Sequence, residues 1–220
     1  MAIKSCVSLY SLQYQYLTGK MDLEGILKYM KELNVEGIEI LPDQMIPGAP
    51  TPSEETLSRW DELMAKYPIG LACDDVFLNT NLFKNRELTK RECIELIKQE
   101  IIQAHRLGFK IIRLVSMVPA WILEPCLPTA EKYDVCMCIE LHGGLGFGVE
   151  KTEEYLREMV RLDSHFIQHN QFRTLDSGQE GIHRSLAVLF QQGVCQRGSG
   201  AEVVPGDAGD FPQTFLFLLL

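Results

Sequence analysis

Asp22–Leu41, DLEGILKYMKELNVEGIEIL, carries a helix and a strand in one unbroken run. Asp22 is a residue type whose carboxylate takes an orphan backbone N–H at a helix start. Behind it Leu23, Ile26, Leu27, Met30 and Leu33 recur at the spacing of one helix face, which predicts a helix through Asn34. EGIEIL, Glu36–Leu41, then reads as a strand, short and mostly apolar. A helix that delivers the chain straight into such a strand is the crossover that parallel neighbours require.

The same unit repeats on both sides. Upstream, Ile3–Leu9 (IKSCVSL) reads as a short buried strand. Downstream, Ser53 opens the helix SEETLSRWDELMAKY, and IGLACDD, Ile69–Asp75, is the third strand. Thr89 caps a long helix through Leu107, closed by Gly108 in the position where helices favour a left-handed residue. FKIIRLVS, Phe109–Ser116, and DVCMCIEL, Asp134–Leu141, are strands four and five, with a proline-interrupted helical segment between them. Lys151–Leu162 is the next helix. Five strand–helix units predict an α/β fold with a parallel sheet.

A (β/α)8 TIM barrel and an open doubly wound sheet both produce this rhythm. Polar groups collect at the carboxyl ends of the strands: Ser8, Glu39, Asp74, Asp75, Arg113, Ser116, Glu140 and His142. A barrel keeps its chemistry there. After the first strand stands SLYSLQ rather than the G-x-G-x-x-G of a dinucleotide fold. The barrel is therefore the expected fold, and an incomplete one, since five units are legible where eight close a barrel.

The rhythm ends at residue 163, so residues 1–163 are expected as the barrel portion and 164–220 as an atypical tail. All eleven lysines lie before residue 164, while seven of the twelve glutamines and three of the five histidines follow it. HRSLAVLFQQG reads as a helical turn or two, QRGSGAEVVPGDAGDFPQ as loop or disorder, and FPQTFLFLLL as an apolar end. Two accounts fit this tail: a variant C-terminal segment, or a change of reading frame near Ser164. The abruptness of the shift favours the second. An incomplete barrel would leave strands one and five as open edges prone to pairing.

Composition narrows the partners. A formal charge of −9 and the lack of a Lys/Arg cluster argue against nucleic acid, whose binding depends on clustered cations. No stretch reaches the ~18 apolar residues of a membrane span. Seven cysteines without a secretory signal in residues 1–20 point to reduced, mostly buried thiols in a cytoplasmic protein.

The candidate chemistry lies in Cys138–Gly148, CIELHGGLGFG. Residues two apart on a strand share a face, so Glu140 and His142 project together at the strand's end. A carboxylate suits a hard cation, and an imidazole suits proton abstraction near neutral pH. Glu39 and Asp74 are the candidate substrate contacts, each with a structural or solvated alternative. Trp60 and Trp121 read as ligand-stacking or as packing residues. GGLGFG lacks the spacing of a phosphate loop.

The opening VSLYS, the helix–strand step Asp22–Leu41 and the run GFKIIRLV…CIELHG resemble the xylose isomerase-like barrel superfamily over residues 1–163. That group includes sugar-phosphate isomerases and epimerases. The combination YSLQ…QMIPGAP…CDDVFLNTN is similar to the catalytic subunits of bacterial C-glycoside deglycosidases. The resemblance implies a divalent metal, Mn²⁺ or Mg²⁺, with Glu140 as its first ligand and His142 as the neighbouring base. It implies an isomerase, epimerase or lyase acting beside the carbonyl of a sugar or 3-keto glycoside. It also implies a smaller β-rich partner subunit; self-association is the other expectation for open strand edges. The family's remaining ligands, Asp, His and a second Glu from later strands, have no recognisable counterpart here. A non-catalytic barrel fragment that depends on a partner is the alternative reading.

Overall fold

Within α2, Leu23–Glu32, the side chains of Ile26, Leu27 and Met30 are buried, and Asp22 Oδ1 accepts from Gly25 N at 2.7 Å. Leu33, expected on that face, is 53% exposed because the helix has already ended and Asn34 turns to positive φ. The computed structural model describes residues 5–115, 117–141, 150–169 and 186–190. The elements run β1 (Cys6–Ser8), a 3-10 turn, α1 (Gln13–Leu17), α2, β2 (Gly37–Ile40), α3 (Pro42–Met45), α4 (Glu54–Lys66) and β3 (Gly70–Val76). They continue with α5 (Lys90–Leu107), β4 (Ile111–Leu114), α6 (Ala120–Leu123), α7 (Leu127–Tyr133), β5 (Cys136–Leu141), α8 (Glu150–His169) and β6 (Leu186–Phe190).

The helix starts follow the sequence. Ser53 Oγ accepts from Thr56 N at 3.2 Å. Thr89 and Glu92 exchange side-chain and backbone bonds in a full capping box, which satisfies two orphan donors at once. Gly108 closes α5 at φ 92°, a conformation that costs glycine little.

Six strands form one sheet in the order β1-β2-β3-β4-β5-β6, each parallel to the next. A doubly wound sheet reverses order at a switch point; a barrel wall does not. The sequential order therefore decides for the barrel type. It also corrects two readings of the region beyond residue 163. LAVLF, taken as helical, is β6 and pairs with β5 from Met137↔Leu186 to Leu141↔Phe190. A continuous apolar run of five residues is too short for a stable helix and suits a parallel strand buried on both faces. Strand five is accordingly not an edge, and among the described residues the sheet ends on β1 and β6.

Register sorts the strand residues between two faces. Ile38, Ile40, Ile112, Leu114, Met137 and Ile139, all fully buried, join helix residues such as Ile26, Ile97 and Ile101 in one core cluster. Trp60 belongs to that layer: it is 2% exposed, and its Nε1 donates to Leu107 O at 2.9 Å. The pairings Ser8↔Glu39↔Cys73 and Asp75↔Arg113↔Cys138 place the polar set on the other face.

Gly70 opens β3 where a side chain has no room. A Cβ there would stand 2.6 Å from the backbone oxygen of Glu36, which also accepts from Gly70 N. Gly70→Ala is expected to destabilise by about 1–3 kcal/mol, since backbone must shift to relieve the clash. A urea midpoint equal to that of the parent chain would show that β2 and β3 are less tightly apposed.

Candidate functional site

Four consecutive strands aim charged groups at one buried point. Arg113 of β4 is its hub. Nε and Nη2 donate to Asp75 Oδ1 and Oδ2, each at 2.6 Å, and Nη2 donates to Glu39 Oε1 at 2.8 Å. Glu140 Oε2 lies 3.5 Å from Arg113 Nε, a longer ion pair. The four side chains are between 0% and 6% exposed. Ionic groups buried this deeply persist only when paired, and a fork of guanidinium donors on two carboxylates is the strongest such pairing.

The surroundings shift these groups. Burial opposes the charge on Arg113, but Asp75 and Glu39 outweigh it and hold the guanidinium protonated above its ordinary range. Burial, then the Glu39 carboxylate beside it, push the Asp75 carboxyl well above the usual range, against the pull of Arg113. Burial, with Asp75 and Glu39 next, also pushes the Cys73 thiol up.

Of the residues expected from the sequence, Glu39 and Glu140 come together around Arg113. Asp74 does not join them. It sits at the register of Ile40 and Ile112, turned toward the helices and completely buried. Burial, then Glu100 of α5, push its carboxyl well above the usual range. His142 lies outside the described residues. Trp121 is 41% exposed with Lys90 Nζ 5.0 Å from its ring centre, whereas Trp60 is a packing residue. Arg113 and Asp75 were visible as strand-end polar groups but not as the hub. The missed signal is an arginine inside FKIIRLVS: a cation in a strand buried on both faces needs carboxylate partners close by.

Two sets of atoms bear on a metal. Glu39, Cys73 and Asp75 each offer a ligand atom, all within 4.8 Å of one another, so spacing alone would let them hold an ion. Their chemistry does not fit: Arg113 already donates to both carboxylates, and the raised thiol of Cys73 is no thiolate. Glu140 fits better. It is a carboxylate at the carboxyl end of β5, 5% exposed, of the donor type that hard divalent cations take.

The chain is 29% identical over 161 residues to a C-glycoside deglycosidase alpha subunit of Arthrobacter globiformis, covering 72% of this chain and 44% of that protein. It is 26% identical over 159 residues to a 3'-dehydrocarminate deglycosidase alpha subunit of a Microbacterium species, covering 72% and 46%. Over these stretches the chain is similar to deglycosidase alpha subunits. It spans less than half the length of the curated relatives it matches. No family model matches it. Its fold is similar to that of a probable 3-DHS dehydratase from Bacillus anthracis, with a TM-score of 0.52 at 16% identity over 86% of this chain and 62% of that one. It is also similar to a sugar phosphate isomerase/epimerase from Parabacteroides distasonis, with a TM-score of 0.50 at 13% identity over 82% and 80%. The alpha-subunit relatives and the TIM-barrel-like neighbours match the resemblance drawn from the sequence. No helix among the described residues is long and apolar enough to cross a membrane.

Proposed function

We propose that this chain carries the metal-holding side of a sugar-acting enzyme that moves a proton next to a carbonyl, of the kind that cleaves a 3-keto C-glycoside. The observation that carries this reading is Glu140, a buried carboxylate at the carboxyl end of β5 beside Arg113, on a chain similar to deglycosidase alpha subunits. Glu140 would hold a divalent cation, Mn²⁺ or Mg²⁺. Such an ion, when bound, polarises the sugar carbonyl and lowers the acidity barrier at the adjacent carbon. His142, two residues beyond Glu140 in sequence, is the base that takes that proton. Glu39 and Asp75 keep Arg113 in place, and Arg113 in turn limits where the Glu140 carboxylate can point. The alpha-subunit naming of the relatives supports a second subunit as partner.

A solvent-exchange assay tests the reading. Incubated with Mn²⁺ and a 3-keto glycoside in D₂O, the protein is expected to place deuterium on the carbon next to the carbonyl, and Glu140→Gln to stop this. No incorporation above the protein-free rate, with or without a copurified partner, would contradict the proposal.

A further inference from the structure

Behind the sheet one carboxyl group stands without a hydrogen bond. Register sets Asp74 level with Ile40 and Ile112, on the helix side of β3, where it is fully buried. Neither Oδ1 nor Oδ2 has a hydrogen-bond partner among the described residues. A second orphan sits on α5 beside Glu100. Gln103 is 2% exposed and donates from Nε2 to Glu100 Oε2 at 3.2 Å, while its own Oε1 is buried with no partner. Acceptor oxygens left bare in a protein interior are costly, so they call for a donor or a cation.

The charges around these oxygens have one sign. Burial raises the Asp74 carboxyl, and Glu100, Asp75 and Asp43 raise it further. Burial and Asp43 do the same to Glu100. Asp75 is turned to the opposite face, where Arg113 holds it. Among the described residues no lysine, arginine or histidine forms an ion pair with Asp43, Asp74 or Glu100. Asp43 of α3 is exposed and gives the group a way to solvent.

We propose that Asp74, Glu100 and Gln103 form a site for one alkali-metal ion, Na⁺ or K⁺, held between the Asp74 carboxylate and Gln103 Oε1 with Glu100 beside them. The donors are all oxygen, which hard cations take. Charge sets the valence. Buried carboxyl groups crowded together do not all ionise, so the site bears one negative charge and matches one positive. A divalent ion would demand a second carboxylate and a compact shell. Asp43, Asp74 and Glu100 do not gather within 4.8 Å of one another, as the Glu39, Cys73 and Asp75 atoms do. The ion would tie β3 to α5. Neither Glu140 nor the sugar chemistry proposed above enters this inference.

Urea unfolding of the full chain at pH 8 tests it, with ionic strength held constant by NaCl, KCl or tetramethylammonium chloride. Tetramethylammonium is too large to enter, so it gives the ion-free reference in which pH alone governs Glu100. Na⁺ or K⁺ should favour the folded state by more than about fivefold over that reference, as an ion present at several times its dissociation constant does. The salt with the larger effect identifies the ion. Asp74→Asn keeps the shape and removes the charge, so it should fold and lose the response. Gln103→Met removes the amide oxygen and should weaken it. Two results would overturn the proposal: equal stability of the parent in all three salts, or a salt response that Asp74→Asn retains in full.

Discussion

Replacing Arg113 with Leu is expected to cost the fold about 3–5 kcal/mol, because it removes one member of a buried ionic group and leaves the others without counter-charge. Asp75 loses both of its short bonds and Glu39 loses the bond from Nη2. The cost should depend on pH in a definite direction. Arg113 pulls the Asp75 carboxyl down against burial and Glu39, so without the guanidinium Asp75 takes up a proton more readily and acid relieves its stranded charge. The deficit should therefore shrink toward pH 4 and grow toward pH 8. Arg113→Lys should recover part of it, since an ammonium supplies charge but not the planar fork that reaches two carboxylates. Urea midpoints of the three proteins across this range measure the effect. A Leu variant as stable as the parent at pH 8 would mean that the hub does not hold the strands together.

The second large effect lies behind the sheet. Glu100 on α5 is 8% exposed, and burial, with Asp43 of α3 adding to it, pushes its carboxyl up to about 7. Asp74 of β3 faces it and is raised as well; Gln103 Nε2 donates to Glu100 Oε2 at 3.2 Å. A carboxyl whose folded pKa is raised binds more protons in the native state than in the unfolded chain. Its contribution is favourable below the unfolded value of 4.5 and is lost as pH climbs through about 7. Glu100→Gln removes that penalty and keeps an acceptor for Gln103. The variant should gain on the parent by about 3 kcal/mol at pH 8 and by nearly nothing at pH 4. A stability difference that stays flat between those pH values would show that Glu100 is not held protonated by its surroundings.

These expectations rest on features that differ in how readily a sequence displays them. Local chemistry was plain to read. Asp22, Ser53, Thr89 and Gly108 announce their helix ends because capping uses residues a few positions apart. The strand-end position of Glu140 was equally plain, since alternation along a strand is local. Pairing across strands was not. Glu39 and Arg113 are 74 positions apart, and nothing near either residue names the other. The face taken by Asp74 was hidden for a related reason. Neighbours on a strand point opposite ways, and only the register Asp74↔Ile112, Asp75↔Arg113 tells which of the two looks toward the hub. LAVLF was misread because five apolar residues without flanking caps suit a helix turn or a buried strand alike, and only the pairing with β5 decides.

The most direct test of the site is Mn²⁺ binding by the full chain, followed through the electron paramagnetic resonance signal of the free ion and compared with Glu140→Gln. The account predicts one saturable site, weakened more than about tenfold in the variant, as removal of a directly coordinating carboxylate requires. Absence of binding, or equal binding by both proteins, would contradict the assignment of Glu140 as a metal ligand and with it the proposed sugar chemistry.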